Sequence, residues 1–480
     1  MSLGVDGGVL DQRRSGVLLH ATSLQGLDGL PAERGAIGVA ARRFIDWLAE
    51  AGFSVWQLLP LGPTEAGGSP YWVRSDMAAE TAFIDRSELP DLTREHEDYL
   101  SFCRTNASWL EDYVRFEALT ERFGGPWWQW PAEYRHRDAE ALERFAQQSQ
   151  SLLERRRVEQ WYFDWQWRAL RRHAAERGVY LFGDLPIYVA PDSAATWSHR
   201  EQFQLDAEGS PLLLAGVPPD YFSADGQLWG NPVYDWRQAE RDQFWFWRQR
   251  LGEQLRRFDL VRIDHFRGLA GYWGIPAGAK TAREGKWYQA PGVPLFETLR
   301  ADFPALPLVA EDLGLITPDV EALRKRFGFP GMRVLQFAFD GGADNPHLPH
   351  NHTRDSVVYT GTHDNDTTAG WWSKRSGEQS EGVEYYLNAD RAGVPEAMKR
   401  ACLGSVAQLA IVPMQDVLGL DSTARLNTPG TTEGNWKWKL PAEGLTAELA
   451  EHYRRLNHCF GRELQRTASL PPSAAAPPAP

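Results

Sequence analysis

The chain has 480 residues, 42% hydrophobic and 24% charged, with a net charge of -13. That length exceeds one simple core but suits a barrel with insertions. The acidic balance leaves no electrostatic footprint for nucleic acid or an anionic membrane, and no apolar run reaches the length of a membrane span. Residues 1–12 read as disordered, and the first fourteen residues lack the apolar stretch of a signal peptide. From there apolar, β-branched runs predict strands at 16–20, 54–59, 179–185, 260–265, 308–311, 333–337, 357–360 and 410–415. Helical patterns at 37–51 and 318–327 fall between them. Eight strands in a β-then-α rhythm predict an α/β fold, a TIM (β/α)8 barrel over residues 13–470. A doubly wound open sheet is the alternative, but no Gly-rich phosphate loop follows the first strand.

Two intervals break the rhythm. Residues 88–178 are helical and aromatic and predict a helical insertion after the second strand. Residues 186–258 carry Pro, Gly and aromatic turns, then a helix near 241–257, and predict a loop-rich insertion after the third. Both should lie on the C-terminal face and wall a cleft. The Pro- and Ala-rich stretch 471–480 reads as a disordered tail. Three cysteines, Cys103, Cys402 and Cys459, show no metal-ligand spacing and no disulfide framework, which points to a reducing cytoplasm.

Three acids carry the chemistry. Asp264 ends Asp-Leu-Val-Arg-Ile-Asp (259–264), Glu311 ends Pro-Leu-Val-Ala-Glu (307–311), and Asp364 follows Ser-Val-Val-Tyr-Thr-Gly-Thr-His (356–363). Buried parallel strands are continuous apolar runs, and their C-terminal ends collect the chemistry of α/β folds. Three carboxylates there, beside His265 and His363, suit reaction at an acetal carbon. Strand alternation puts Arg262 and Asp264 on one side, so the guanidinium should hold the acid's pKa down; a structural ion pair is the alternative. Desolvation should raise Glu311, as a general acid requires; a structural acid competes with that. Asp312 should face away, into a cap or ion pair. The run His363-Asp364-Asn365-Asp366 reads as a turn, with a metal site as the other option. Asp184 ends another strand. The stretches 215–223 and 227–232 put Tyr221, Phe222 and Trp229 on Gly/Pro-rich loops, where they suit binding. The chain has 21 Trp, whose flat apolar faces suit sugar rings, although most should be core.

The chain resembles amylomaltases, the 4-α-glucanotransferases also called disproportionating enzymes, which are relatives of the α-amylases. The likeness runs from about residue 16 to 440. It rests on Gly-Val-Leu-Leu-His (16–20), Trp-Gln-Leu-Leu-Pro-Leu-Gly-Pro (56–63), Ser-Pro-Tyr (69–71), Gly-Asp-Leu-Pro-Ile-Tyr-Val (183–189), Gly-Val-Pro-Pro-Asp-Tyr-Phe-Ser (216–223), Trp-Gly-Asn-Pro (229–232), Arg-Ile-Asp-His-Phe-Arg-Gly (262–268), Ala-Glu-Asp-Leu-Gly (310–314), Thr-Gly-Thr-His-Asp-Asn-Asp-Thr (360–367) and Gly-Asn-Trp (434–436). The resemblance implies that Asp264 is the nucleophile, Glu311 the general acid/base and Asp364 the stabiliser of the transition state. It implies that Tyr71, Asp184, Arg262 and His363 line the donor glucose, with Tyr221, Phe222 and Trp229 near the acceptor. Nucleophile and acid would then lie about 5–5.5 Å apart, the retaining geometry. No metal and no organic cofactor is implied. The implied partners are malto-oligosaccharides, maltose and glucose, with amylose or glycogen as longer donors; the sequence leaves the oligomeric state unknown, between a monomer and a weak dimer. Two stretches depart from the family: Trp72 to Thr81, which borders the donor site, and Ala195, where an acid is usual. A hydrolase of α-1,4-glucans and an inactive glucan-binding protein are the competing expectations.

Overall fold

The computed structural model describes residues 8–24, 36–65, 67–89, 97–219 and 223–463. Twelve strands occur among them: β1 (Arg14–Leu18), β2 (Val55–Gln57), β3 (Tyr180–Leu185), β4 (Leu213–Val217), β5 (Gln227–Pro232), β6 (Leu260–Ile263), β7 (Gly271–Pro276), β8 (Lys286–Gln289), β9 (Leu308–Ala310), β10 (Gly331–Val334), β11 (Ser356–Tyr359) and β12 (Leu409–Pro413). Eight of them form one parallel sheet in the order β10-β11-β12-β1-β2-β3-β6-β9. The Ala310 N–H donates to the Pro330 carbonyl at 2.9 Å and brings the two edges together. The result is a (β/α)8 barrel, and each of the eight expected runs supplies one of its strands. Parallel neighbours demand long crossovers, and helices such as Val39–Glu50 and Pro318–Phe327 provide them.

The strands have two buried faces, so alternation in the sequence is hidden but alternation in packing is not. Leu18, Val55, Phe182, Leu260, Val309, Val357 and Ile411 form a cluster inside the barrel. Their neighbours Val17, Trp56, Leu181, Val261, Ala310, Val358 and Val412 pack outward against the helices. Arg262 is two residues on from Leu260 and Asp184 two on from Phe182. The inward series therefore turns polar as it reaches the C-terminal end.

The interval 88–178 carries the helices Glu97–Thr105, Ala107–Phe123, Ala132–Arg135, Ala139–Gln148 and Gln150–Glu176. Its aromatic run is core: Trp161, Phe163 and Trp167 are buried. The interval 186–258 differs from the loop-rich expectation. It holds β4 and β5, which join β7 and β8 in an antiparallel sheet of order β5-β4-β7-β8. Gly216, Gly230, Gly271, Gly274 and two terminal prolines interrupt the alternation that would have announced these strands. The helix Trp245–Arg257 follows. Its Arg250 is fully buried, donates to the Pro186 and Ile187 carbonyls at 2.6 and 3.1 Å, and pairs with Asp76. The unusual segment Trp72 to Thr81 is thereby clamped to the loop that leaves β3. Ala195 lies buried in the short helix Ala194–Ser198, which Ser193 and Thr196 cap reciprocally.

Candidate active site

Asp264 and Glu311 each stand one residue beyond a barrel strand. The Asp264 N–H donates to the Leu185 carbonyl of β3 at 3.0 Å, and the Glu311 N–H to the Ile263 carbonyl of β6 at 3.1 Å. Each acid is thus fixed by the last rung of a ladder, on rigid rather than loop backbone.

Beneath Asp264 lies a closed polar network. Arg262 donates to Asp184 through two bonds of 3.0 and 2.7 Å, to the Tyr71 hydroxyl at 2.9 Å and to Asp264 at 2.9 Å. The Tyr71 hydroxyl donates to Asp184 at 2.5 Å. Asp184 and Arg262 side chains are 0% and 4% exposed, whereas Asp264 keeps 32%. The first two form a buried base, and only the Asp264 carboxylate opens upward. Gly183 is obligatory beside them, because a Cβ there would stand 2.2 Å from the Phe258 ring.

Glu311 accepts two backbone N–H groups, from His265 and Leu313, at 2.9 Å each. His265 adopts a left-handed conformation, φ 49°, which a non-glycine residue holds only where its surroundings enforce it. Asp312 points the other way. It accepts the Met332 N–H at 2.6 Å and pairs with Arg324 and Arg333. A Cβ at Gly331 would collide with it.

Asp364 lies on the loop after β11, and its side chain accepts from Asn427 Nδ2 at 2.6 Å. Arg425 donates to its backbone carbonyl at 2.7 Å. The 363–366 run serves separate partners, although His363 Nε2 stays 3.4 Å from Asp364 Oδ1. The His363 ring stacks on Tyr71, with centroids 5.2 Å apart at 17°. Asn365 accepts the Thr362 N–H at 2.9 Å, a local turn. Asp366 pairs with Lys374 and Ser422. Among the described residues no three His, Cys, Asp or Glu side chains gather in a metal-binding arrangement.

Trp229 meets His265 edge to face at 4.7 Å and 86°. Tyr221 and Phe222 lie outside the described residues. The structure therefore brings together Tyr71, Asp184, Arg262, His363, Asp264, Glu311 and Asp364, with Trp229 on the His265 flank. Asn427, Arg425 and Trp436, whose ring lies 6.1 Å from His363, also frame the site. Sequence reading gave none of them a role, although Trp436 ends the quoted motif Gly-Asn-Trp (434–436). Asn427 sits in a polar stretch that reads as any loop, and nothing local singles it out.

Burial and charge set the protonation states. Glu311 is raised to about 8, first by desolvation and then by the negative charge of Asp264. Asp264 was expected to be depressed by Arg262. The guanidinium does pull it down, but desolvation deep in the cleft outweighs that, aided by Asp184 and Asp364, and it rises to about 6. Around pH 7 one carboxylate is ionised and its neighbour protonated, the division that acid and nucleophile require. Burial keeps His265 neutral, at about 4, and lowers His363. The Tyr71 phenol, raised by burial and by Asp184, stays protonated.

The profile of the 4-alpha-glucanotransferase family matches residues 19–95 and 88–446. The chain belongs to the 4-alpha-glucanotransferase family. A 4-alpha-glucanotransferase of Thermus thermophilus is 44% identical, over 92% of this chain and 97% of its own. One from Synechocystis sp. is 43% identical, over 96% of this chain and the whole of its own. Among solved structures, the amylomaltase of Streptococcus agalactiae in complex with acarbose superposes with a TM-score of 0.88. It is 33% identical, over 94% of this chain and all of that one. Of the motifs quoted from the sequence, those at 69–71, 183–189, 229–232, 262–268, 310–314, 360–367 and 434–436 supply Tyr71, Asp184, Trp229, Arg262, Asp264, His265, Glu311, His363, Asp364 and Trp436 of this cleft.

Proposed function

We propose that the chain moves α-1,4-glucan segments between malto-oligosaccharides by a retaining double displacement. One observation carries this: the carboxylates of Asp264 and Glu311 stand at the ends of adjacent barrel strands, the Glu311 N–H bonded to Ile263 just before Asp264, and burial raises both, Glu311 further than Asp264. The ionised Asp264 attacks the anomeric carbon. The C1–O4 bond breaks, and Glu311 gives its proton to the departing oxygen. A glycosyl ester forms on Asp264, and the leaving glucan departs with a free 4-hydroxyl. Esterification removes the Asp264 charge that helped raise Glu311, so Glu311 is now more easily held as a carboxylate. It can take the proton of an incoming 4-hydroxyl, which attacks C1 and releases Asp264. Two inversions give net retention.

In this reading Tyr71, Arg262, Asp184 and His363 shape the donor position. Asp364, held by Asn427, faces the positive charge that develops on the ring. The chain's partners are malto-oligosaccharides, maltose and glucose, with amylose or glycogen as longer donors. A reducing cytoplasm suits a chain whose Cys103, Cys402 and Cys459 are free.

Transfer and hydrolysis differ only in the second acceptor. A sugar held in a near-attack pose reaches effective molarities of roughly 10⁵ M or more, enough to outcompete water. In this reading Trp229, packed edge to face on His265, holds such a ring. Maltotriose should therefore yield glucose together with maltopentaose and longer products, with little gain in reducing ends. Trp229→Ala should slow transfer and raise the hydrolysed fraction. Glucose and maltose alone, with reducing ends rising in step, would establish a hydrolase instead.

A further inference from the structure

A trough of about 1080 Å³ runs outward from Asp364, past the ends of β10 and β11. Ligand pockets commonly measure roughly 300–1,000 Å³, so this space exceeds what one reacting sugar needs. One wall is aromatic. Phe339 and Trp371 have ring centroids 6.2 Å apart, and Tyr386 backs Phe339 at 5.7 Å. The Arg375 guanidinium lies 4.5 Å over the Trp371 ring and donates to both oxygens of Asp340 at 2.8 and 2.7 Å.

The charges of the trough cancel. Asp340, Asp364 and Asp366 face Arg375, Lys374 and Arg425. The chain as a whole carries -13, so a neutral stretch of this size is a local departure. A phosphorylated ligand would meet three carboxylates, and a cation three positive side chains. A neutral polyol meets fixed donors and acceptors, and its apolar C–H faces meet Trp371 and Phe339. The trough is continuous with the cleft, because Asp364 lines both. Its β11 side lies three strands round the barrel from β6, whose exit carries His265, against which Trp229 of β5 packs.

We propose that this trough is a remote glucan subsite, holding sugars several units from the bond that breaks, with Trp371 and Arg375 as its platform. The proposal rests on the glucanotransferase reading of the cleft and extends it to long chains.

The test compares maltotriose with a long linear maltodextrin, using wild type, Trp371→Ala, Trp371→Phe and Gln379→Ala. Gln379 sits on the exposed lip of the trough, so its replacement leaves the fold intact. Losing an aromatic anchor should raise KM for the maltodextrin roughly five- to tenfold more than KM for maltotriose. Trp371→Phe should recover most of the loss, and Gln379→Ala should shift KM in the same direction by less. The proposal is overturned if the two substrates respond alike in both alanine variants, or if neither responds. If wild type shows no transfer, the glucanotransferase reading falls separately. Calorimetric titration with the maltodextrin then tests the trough alone, and equal affinity of wild type and Trp371→Ala overturns it.

Discussion

The division of protons between Asp264 and Glu311 makes the pH profile the sharpest test of the site. Activity requires Asp264 deprotonated, so it must fall as pH drops through about 6. It also requires Glu311 protonated, so it must fall as pH rises through about 8. Treated independently, these values put about 0.8 of the enzyme in the productive form at pH 7, and about 0.1 at pH 5 or pH 9. The two groups interact, so the observed limbs belong to the pair. Initial rates with maltotriose well below KM, from pH 4.5 to 10, read the free enzyme. A bell with limbs near 6 and 8 is expected. Asp264→Asn removes the like charge, so the titration of Glu311, followed by NMR of a labelled carboxyl, should move down from about 8 while burial holds it above an ordinary glutamate. An acid limb near 4 would mean that Arg262 dominates Asp264 after all. A Glu311 titration unmoved by Asp264→Asn would mean that the two carboxylates do not feel each other, and the charge cycling drawn above would fail.

Asp264→Asn and Glu311→Gln should each lower transfer by roughly 10²–10⁴-fold or more with the melting temperature little changed; near-normal rates in either variant would remove it from the mechanism. Asn427→Ala should lower kcat more than it raises KM, because it frees Asp364 rather than removing a sugar contact; a pure KM effect would place Asn427 on the substrate instead. Exhaustive chelation should leave turnover unchanged, and loss of activity restored by one divalent ion would reopen a metal role for the 363–366 run. Arg462 is buried and donates to the carbonyls of Leu403, Arg14, Gln408, Ser405 and Ala407, so Arg462→Ala should destabilise the barrel by about 3 kcal/mol or more through orphaned acceptors, seen as a lower denaturant midpoint with the pH profile intact.

What the sequence disclosed follows from what is written into short windows. A buried parallel strand is a run of three to six apolar residues, and each of the eight runs is such a window. An acid at the end of that run is equally local, so Asp184, Asp264 and Glu311 could be read directly. Asp312 could also be read, because alternation turns it away from Glu311, and it is indeed spent on Met332 and Arg324. The antiparallel sheet could not. Its strands come from two separate intervals, 213–232 and 271–289, and glycines stand where side chains would have marked a face. Asn427 was hidden for a related reason: its meaning lies in Asp364, sixty-three residues earlier, and a loop asparagine looks the same with or without a partner. The sign at Asp264 shows a different limit. Sequence supplied both opposing terms, the nearby guanidinium and the apolar strand. Which one wins depends on how deep the carboxylate lies and how many other acids face it. Asp184 and Asp364 arrive there from other strands, and only the closed barrel brings their charges to bear.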